Sequence, residues 1–149
     1  MMNGDYEKVA NLYAKAIPTF TTFSVFSFND LIRYAIVTGI MHLSRSSIKQ
    51  YLVSVSDVEI ALFEMPVLKQ LLYSFDECRY HDFFLSLLDL EGILLSDPYL
   101  RPNASKIIGV LRLKAYQQFL DSFKWYSLGK LTLLVVVLFN LWLIVLVYL

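Results

Sequence analysis

Along most of this chain apolar residues return every third or fourth position, the spacing of one face of an α-helix. Between Asp5 and Ile17 the residues Tyr6, Val9, Ala10, Tyr13, Ala16 and Ile17 share a stripe, Lys8 and Lys15 take the opposite side, and Pro18 stops the run. Thr19 to Ser27 is rich in Thr, Ser and Phe and reads as a connection docked onto the core through Phe20, Phe23 and Phe26. Ser27 followed by Asp30 forms a variant capping box, in which the hydroxyl accepts a first-turn amide proton and the carboxylate favours the positive end of the helix dipole. It predicts a helix from about Phe28 to Leu43, with Leu31, Tyr34, Ala35, Thr38 and Met41 on one side. The serine cluster Ser44 to Ser47 ends that helix and offers N-caps for a short one over Ile48 to Val53.

Asp57 to Phe63 suits another short helix, and Pro66 sits where a first helical turn tolerates it, opening a turn or two through Tyr73. The longest predicted element is Asp76 to Leu95, with an apolar stripe of Tyr80, Phe83, Phe84, Leu87, Leu88, Gly92 and Leu95, closed by Asp97-Pro98. Ser105 to about Lys124 makes its partner, with Ile108, Leu111, Ala115, Gln118 or Phe119, and Phe123 facing inward. The chain has five glycines and no Asn-Gly or Asp-Gly pair between alternating apolar runs, so hairpins lack support. The pattern predicts an all-α fold, an antiparallel helical-repeat stack over residues 1–130.

Leu131 to Leu149 is a different material, in which only Thr132 and Asn140 are polar. At ~1.5 Å per residue a helix of that length reaches roughly 28 Å, against a bilayer core of about 30 Å. Its Leu, Ile, Val and Phe residues favour insertion by about −5 to −9 kcal/mol at most, more than one central Asn cancels. Lys124 and Lys130 precede the segment and no charge follows it, so the positive-inside rule puts the body in the cytosol as a tail-anchored protein. A very hydrophobic core helix, or a strand through the β-branched run Val135 to Val137, remains the alternative.

Every charged residue therefore lies in the first 130, and the body has ordinary soluble composition although the whole chain is 57% hydrophobic. Thirteen basic and thirteen acidic residues leave no net charge, and so no field to gather nucleic acid or an anionic membrane surface. The single cysteine, Cys78, rules out an internal disulfide and fits a reducing compartment, cytoplasmic or nuclear.

Chemistry-bearing constellations are sparse. Cys78 and His81 share a helical face at i, i+3 spacing, but zinc needs more ligands than two, and His42 belongs to another helix. Ser46-Ser47-Ile48-Lys49 matches a Ser-x-x-Lys pattern without its companion elements, which leaves helix capping by Ser46. Asp76 with Glu77, and Asp89 with Glu91, point in different directions on a helix and read as solvated charges. The ten Tyr and eleven Phe lack the basic interleaving of a nucleic-acid stacking platform and read as core. No catalytic, cofactor-binding or metal residue is assigned, and the chain reads as an interaction module, not an enzyme. Arg79, Tyr80, Arg112 and Tyr116, polar-tipped residues on the two long helices, link those helices or face a partner, with the internal role favoured.

The run "YSFDECRYHDFFLSLL" (Tyr73 to Leu88) resembles the PCI-domain subunits of the 26S proteasome regulatory-particle lid. "LYAKAIPTFTTF" (Leu12 to Phe23) and "LRLKAYQQFLDSFKWYSL" (Leu111 to Leu128) look like further stretches of the same family, so the likeness covers about residues 5–130. The COP9 signalosome's first subunit is similar but weaker around "DECRY". The resemblance implies a non-catalytic scaffold in ubiquitin-dependent protein degradation, a TPR-like helical array passing into a PCI domain, with other lid subunits as partners. It implies no small-molecule substrate, cofactor or nucleic acid. Family members carry more helices before the position of Tyr6 and a winged helix after that of Leu128, where this chain turns uniformly apolar. The expectation is a family fragment, truncated at both ends, whose reading leaves the usual exon near Gly129. The competing expectation is a tail-anchored membrane adaptor with a cytosolic helical body.

Overall fold

The computed structural model describes residues 6–19 and 27–121. Among them every regular element is helical: α1 (Tyr6–Ala16) with a 3-10 turn (Ile17–Thr19), α2 (Phe28–His42), α3 (Arg45–Ile48) running into a π-turn (Lys49–Val53), α4 (Ser56–Phe63), α5 (Pro66–Asp76), α6 (Tyr80–Ser96), a second 3-10 turn (Arg101–Asn103) and α7 (Ala104–Asp121). The all-α helical stack read from the spacing is the observed fold. The helices up to Tyr116 belong to one compact unit, and Gln117 onward to a second. The Phe20, Phe23 and Phe26 connection, Phe123, Lys124 and the whole of Leu131 to Leu149 lie outside the described residues.

α2 is the centre of the stack, packed by α1, α4 and α5. It starts on the predicted capping box: Asp30 N–H donates to Ser27 Oγ at 3.2 Å and Ser27 N–H donates to Asp30 Oδ2 at 3.2 Å. The one-sided stripe predicted for it is corrected. Leu31, Ile32, Ala35, Ile36, Val37, Gly39, Ile40 and Met41 are all buried, whereas Tyr34 and Thr38 are only half-buried. A helix enclosed by neighbours on several sides is apolar around most of its circumference, so no single phase stands out.

Three further features differ from the sequence reading. Ser44, not Ser46, caps the following helix, its Oγ accepting from Ser47 N–H at 3.2 Å. That helix opens at Arg45 and widens into the π-turn, closed by Ser54 N–H donating to the Lys49 carbonyl at 2.9 Å. The wide turn presses Leu52 onto α2 at Gly39, where an added Cβ would stand 2.8 Å from Leu52 Cδ1 and that buried side chain would have to shift.

The predicted helix Asp76 to Leu95 is broken at its start. α5 continues to Asp76 and stops in a Schellman turn, with Arg79 N–H donating to the Ser74 carbonyl at 2.8 Å and Cys78 N–H to the Phe75 carbonyl at 3.3 Å. Cys78 occupies the left-handed position, φ 59°, that glycine usually fills. Arg45 Nη2 caps the same end by donating to the Asp76 carbonyl at 2.6 Å.

The phase of α6 is the third correction. Phe83, Ser86, Leu87, Leu90 and Leu94 face inward, while Leu88, Gly92 and Leu95, expected in the stripe, are exposed. α6 is apolar over more than half its circumference, so periodicity left the inward direction open until α5 packed against it. α7 buries Ala104, Ile107, Ile108, Leu111 and Ala115, close to prediction, with Gln118 and Phe119 half-buried.

Candidate interaction surface

A buried carboxylate pins the far end of this stack to its centre. Asp97 follows the last turn of α6 in extended conformation and is 4% exposed. Its Oδ1 accepts from the backbone N–H groups of Tyr99 at 2.8 Å and Leu100 at 3.2 Å, the turn that Asp-Pro initiates. Its Oδ2 accepts from Arg33 Nη1 at 3.2 Å and Tyr34 Oη at 3.0 Å, both on α2. Burial alone would push this carboxyl up. The Tyr99 amide, the Tyr34 hydroxyl, the Leu100 amide and the Arg33 guanidinium outweigh it and hold the group below the usual carboxylate value. Tyr34 shifts the other way, to about 12, first because it is buried and then because its proton is held by Asp97. Arg33 also pairs with Asp30 at 3.2 Å, so the capping box and the junction share one guanidinium.

The residues singled out in sequence do not converge. Arg79 pairs locally with Glu77, Nε to Oε2 at 2.7 Å, and with Asp82. Tyr80 packs on the core, where burial raises its hydroxyl pKa. Tyr116 lays its ring 5.3 Å from that of Phe84, joining α7 to α6; burial raises its pKa and the Arg112 charge opposes this. Of the three, only Tyr116 joins the two long helices; Arg79 is half-exposed in its local ion pairs, and Tyr80 packs on the core. Cys78 lies in the turn before α6, His81 is exposed on its first turn, and His42 ends α2. No three His, Cys, Asp or Glu side chains gather within reach of one metal ion among the described residues. Ser46 Oγ shares a hydrogen bond with Ser44 Oγ at 2.9 Å, as part of the cap. Asp89 and Glu91 stand exposed on α6.

What the surface offers is apolar. Leu85, Leu88 and Leu95 on α6, Leu113 on α7, Ile60 and Phe63 on α4, and Tyr99 are large side chains left in solvent. Lys69 Nζ covers Phe63 at 4.2 Å from the ring centroid. The Asp97 junction and this exposed set both escaped the sequence reading. Asp-Pro signalled the turn, but nothing in a string of letters points from residue 97 to residues 33 and 34.

Known proteins share much of this sequence. The family profile described as 26S proteasome subunit RPN7 matches residues 1–51. The "26S proteasome non-ATPase regulatory subunit 6 homolog" of Arabidopsis thaliana is 33% identical over 124 residues, 83% of this chain. The chain is similar to the RPN7 family over most of its length. The rice subunit 6 (Oryza sativa subsp. japonica) is 31% identical over 124 residues, and the "26S proteasome regulatory subunit RPN7" of Saccharomyces cerevisiae 28% over 133. The chain spans about a third of these relatives, 32%, 32% and 30% of their lengths. Arg33 and Tyr34 lie inside the segment matched by the RPN7 profile, and Asp97 lies beyond it, so the junction ties that segment to the rest of the stack.

Proposed function

We propose that this chain is a non-catalytic scaffold segment of the proteasome regulatory-particle lid, contributing protein contacts to ubiquitin-dependent degradation. The carrying observation is that similarity to proteins named as non-ATPase regulatory subunits runs over 124 residues, 83% of the chain. The fold supports it: a helical stack with its polar groups used for caps and for the Asp97 junction, and with leucines left at its surface. On this reading residues 1–130 are a helical-repeat, partial PCI body, and residues 131–149 a separate hydrophobic tail. The partners are other PCI-type lid subunits, reached in the cytoplasm or nucleus, and no cofactor, metal, nucleic acid or small-molecule substrate is involved.

The test is sedimentation of the tagged full-length chain in a cell extract. Co-migration with regulatory particles is the expected result, and confinement to free-protein fractions overturns the reading. No described helix is long and apolar enough to cross a membrane. The tail-anchored alternative rests on Leu131 to Leu149, and retention in membranes after alkaline extraction is what it requires.

A further inference from the structure

The exposed leucines of α6 are not scattered. Leu85, Leu88, Gly92 and Leu95 are separated by three, four and three residues, the a-d-a-d spacing of a coiled-coil seam, and all four are exposed. The positions beside such a seam, e and g, set the choice of partner through charge. Within α6 Asp82, Asp89 and Ser96 fall at e and Phe84 and Glu91 at g, so three of the five flanking positions are acidic and none is basic. Asp82 is engaged by Arg79, but neither Asp89 nor Glu91 has an ion-pair partner among the described residues. α6 contains no Lys or Arg.

Gly92 sharpens the reading. At Gly39 an added Cβ would crowd the buried Leu52, whereas a Cβ on Gly92 would meet nothing within 4 Å. Glycine in an exposed helix interior costs about 1 kcal/mol relative to alanine, and no internal contact demands it here. A bare position in the middle of the seam lets a second backbone come close.

We propose that this face of α6 docks an amphipathic helix of a partner protein whose apolar stripe is flanked by lysine or arginine. Charge selects the occupant. A second copy laid on the same face would set Asp89 and Glu91 against acidic neighbours of its own, whereas basic flanks complete the two unpaired carboxylates. Two heptads make a lateral contact within a larger interface, not a self-sufficient coiled coil. The proposal goes beyond the scaffold role and holds whichever assembly the partner belongs to.

The test uses the immobilised full-length chain and two synthetic three-heptad helices with leucine at a and d, one carrying lysine at e and g and the other glutamate. The lysine helix is expected to bind at least ten-fold tighter at low salt, with the difference shrinking as salt rises. Asp89→Lys with Glu91→Lys should abolish or invert that preference, and Leu88→Ser should weaken the lysine helix about ten-fold while far-ultraviolet circular dichroism stays unchanged. Asp57→Lys with Glu59→Lys, exposed acids of α4 carrying the same charge change, should leave the preference in place. Equal binding of both helices overturns the proposal, as does a preference that survives the α6 double substitution or is lost equally in the α4 control. Concentration-dependent self-association abolished by Asp89→Lys with Glu91→Lys would give the face to a second copy and overturn it too.

Discussion

At Cys78 the backbone turns left-handed, with the amide pattern of a Schellman cap intact on either side. An L-residue there carries a steric cost of roughly 1–2 kcal/mol, which glycine escapes, while glycine also gains freedom in the unfolded chain. Cys78→Gly is therefore expected to stabilise the protein by roughly 0.5–1 kcal/mol, read as a higher urea midpoint at unchanged slope. The glycines give the opposite pair of expectations. Gly92→Ala adds a methyl to open space and should stabilise by up to about 1 kcal/mol. Gly39→Ala gains the same helix propensity but drives into the buried Leu52, where overpacking costs about 1–3 kcal/mol, so it should be neutral or destabilising. Equal midpoints for the two alanine variants would contradict this account of why each glycine is there.

Element boundaries were legible where a residue's chemistry acts on its own neighbours. Ser27 with Asp30 announced the start of α2, Pro66 that of α5, and Asp97-Pro98 the end of α6. A boundary was misplaced where an unusual residue fills the usual role, as Cys78 does for glycine, so that the end of α5 and its closing turn read as the start of α6. The inward face was legible on α7, with its polar opposite side, and not on α2 or α6, whose apolar residues outnumber the positions one neighbour can cover. The candidate surface was missed for that reason: Leu88 and Leu95 read as core because they are leucines. The elements also set the pH limits of the fold. Asp97 has a depressed folded-state pKa against an unfolded value of 3.8, so its contribution is present above that value and lost as pH falls through the folded one. Tyr34 is raised from 10.0 to about 12, so its contribution is complete below pH 10 and lost as pH rises through the folded value. Stability should be flat between these limits as far as this pair is concerned. Asp97→Asn should remove the Asp97 part of the acid-side decline, and Tyr34→Phe part of the alkaline decline, in denaturation midpoints measured across pH.

For the molecule as a whole, the junction of Arg33, Tyr34 and Asp97 is a polar tie spanning 63 and 64 residues of sequence, between the central helix and the end of α6. Apolar burial holds each helix pair, with roughly 1.5–3 kcal/mol for each fully buried Leu, Ile or Phe, but it is indifferent to small rotations of one pair on another. Four directed hydrogen bonds to one carboxylate are not, because any displacement strands a charge in a buried place. Asp97→Asn keeps the shape while removing the charge and turning a donor toward donors. Since the loss of one partner from a buried charged pair costs about 3–5 kcal/mol, the variant should lie at the lower end of that range or below it. If the junction couples the RPN7-matched segment to the α5–α6 half, faster amide hydrogen exchange will appear both in the first turns of α2 and in the last turn of α6 with the Tyr99 and Leu100 amides. Acceleration confined to Tyr99 and Leu100 would reduce Asp97 to a local turn-former, and the orientation of the two halves would then rest on apolar packing alone.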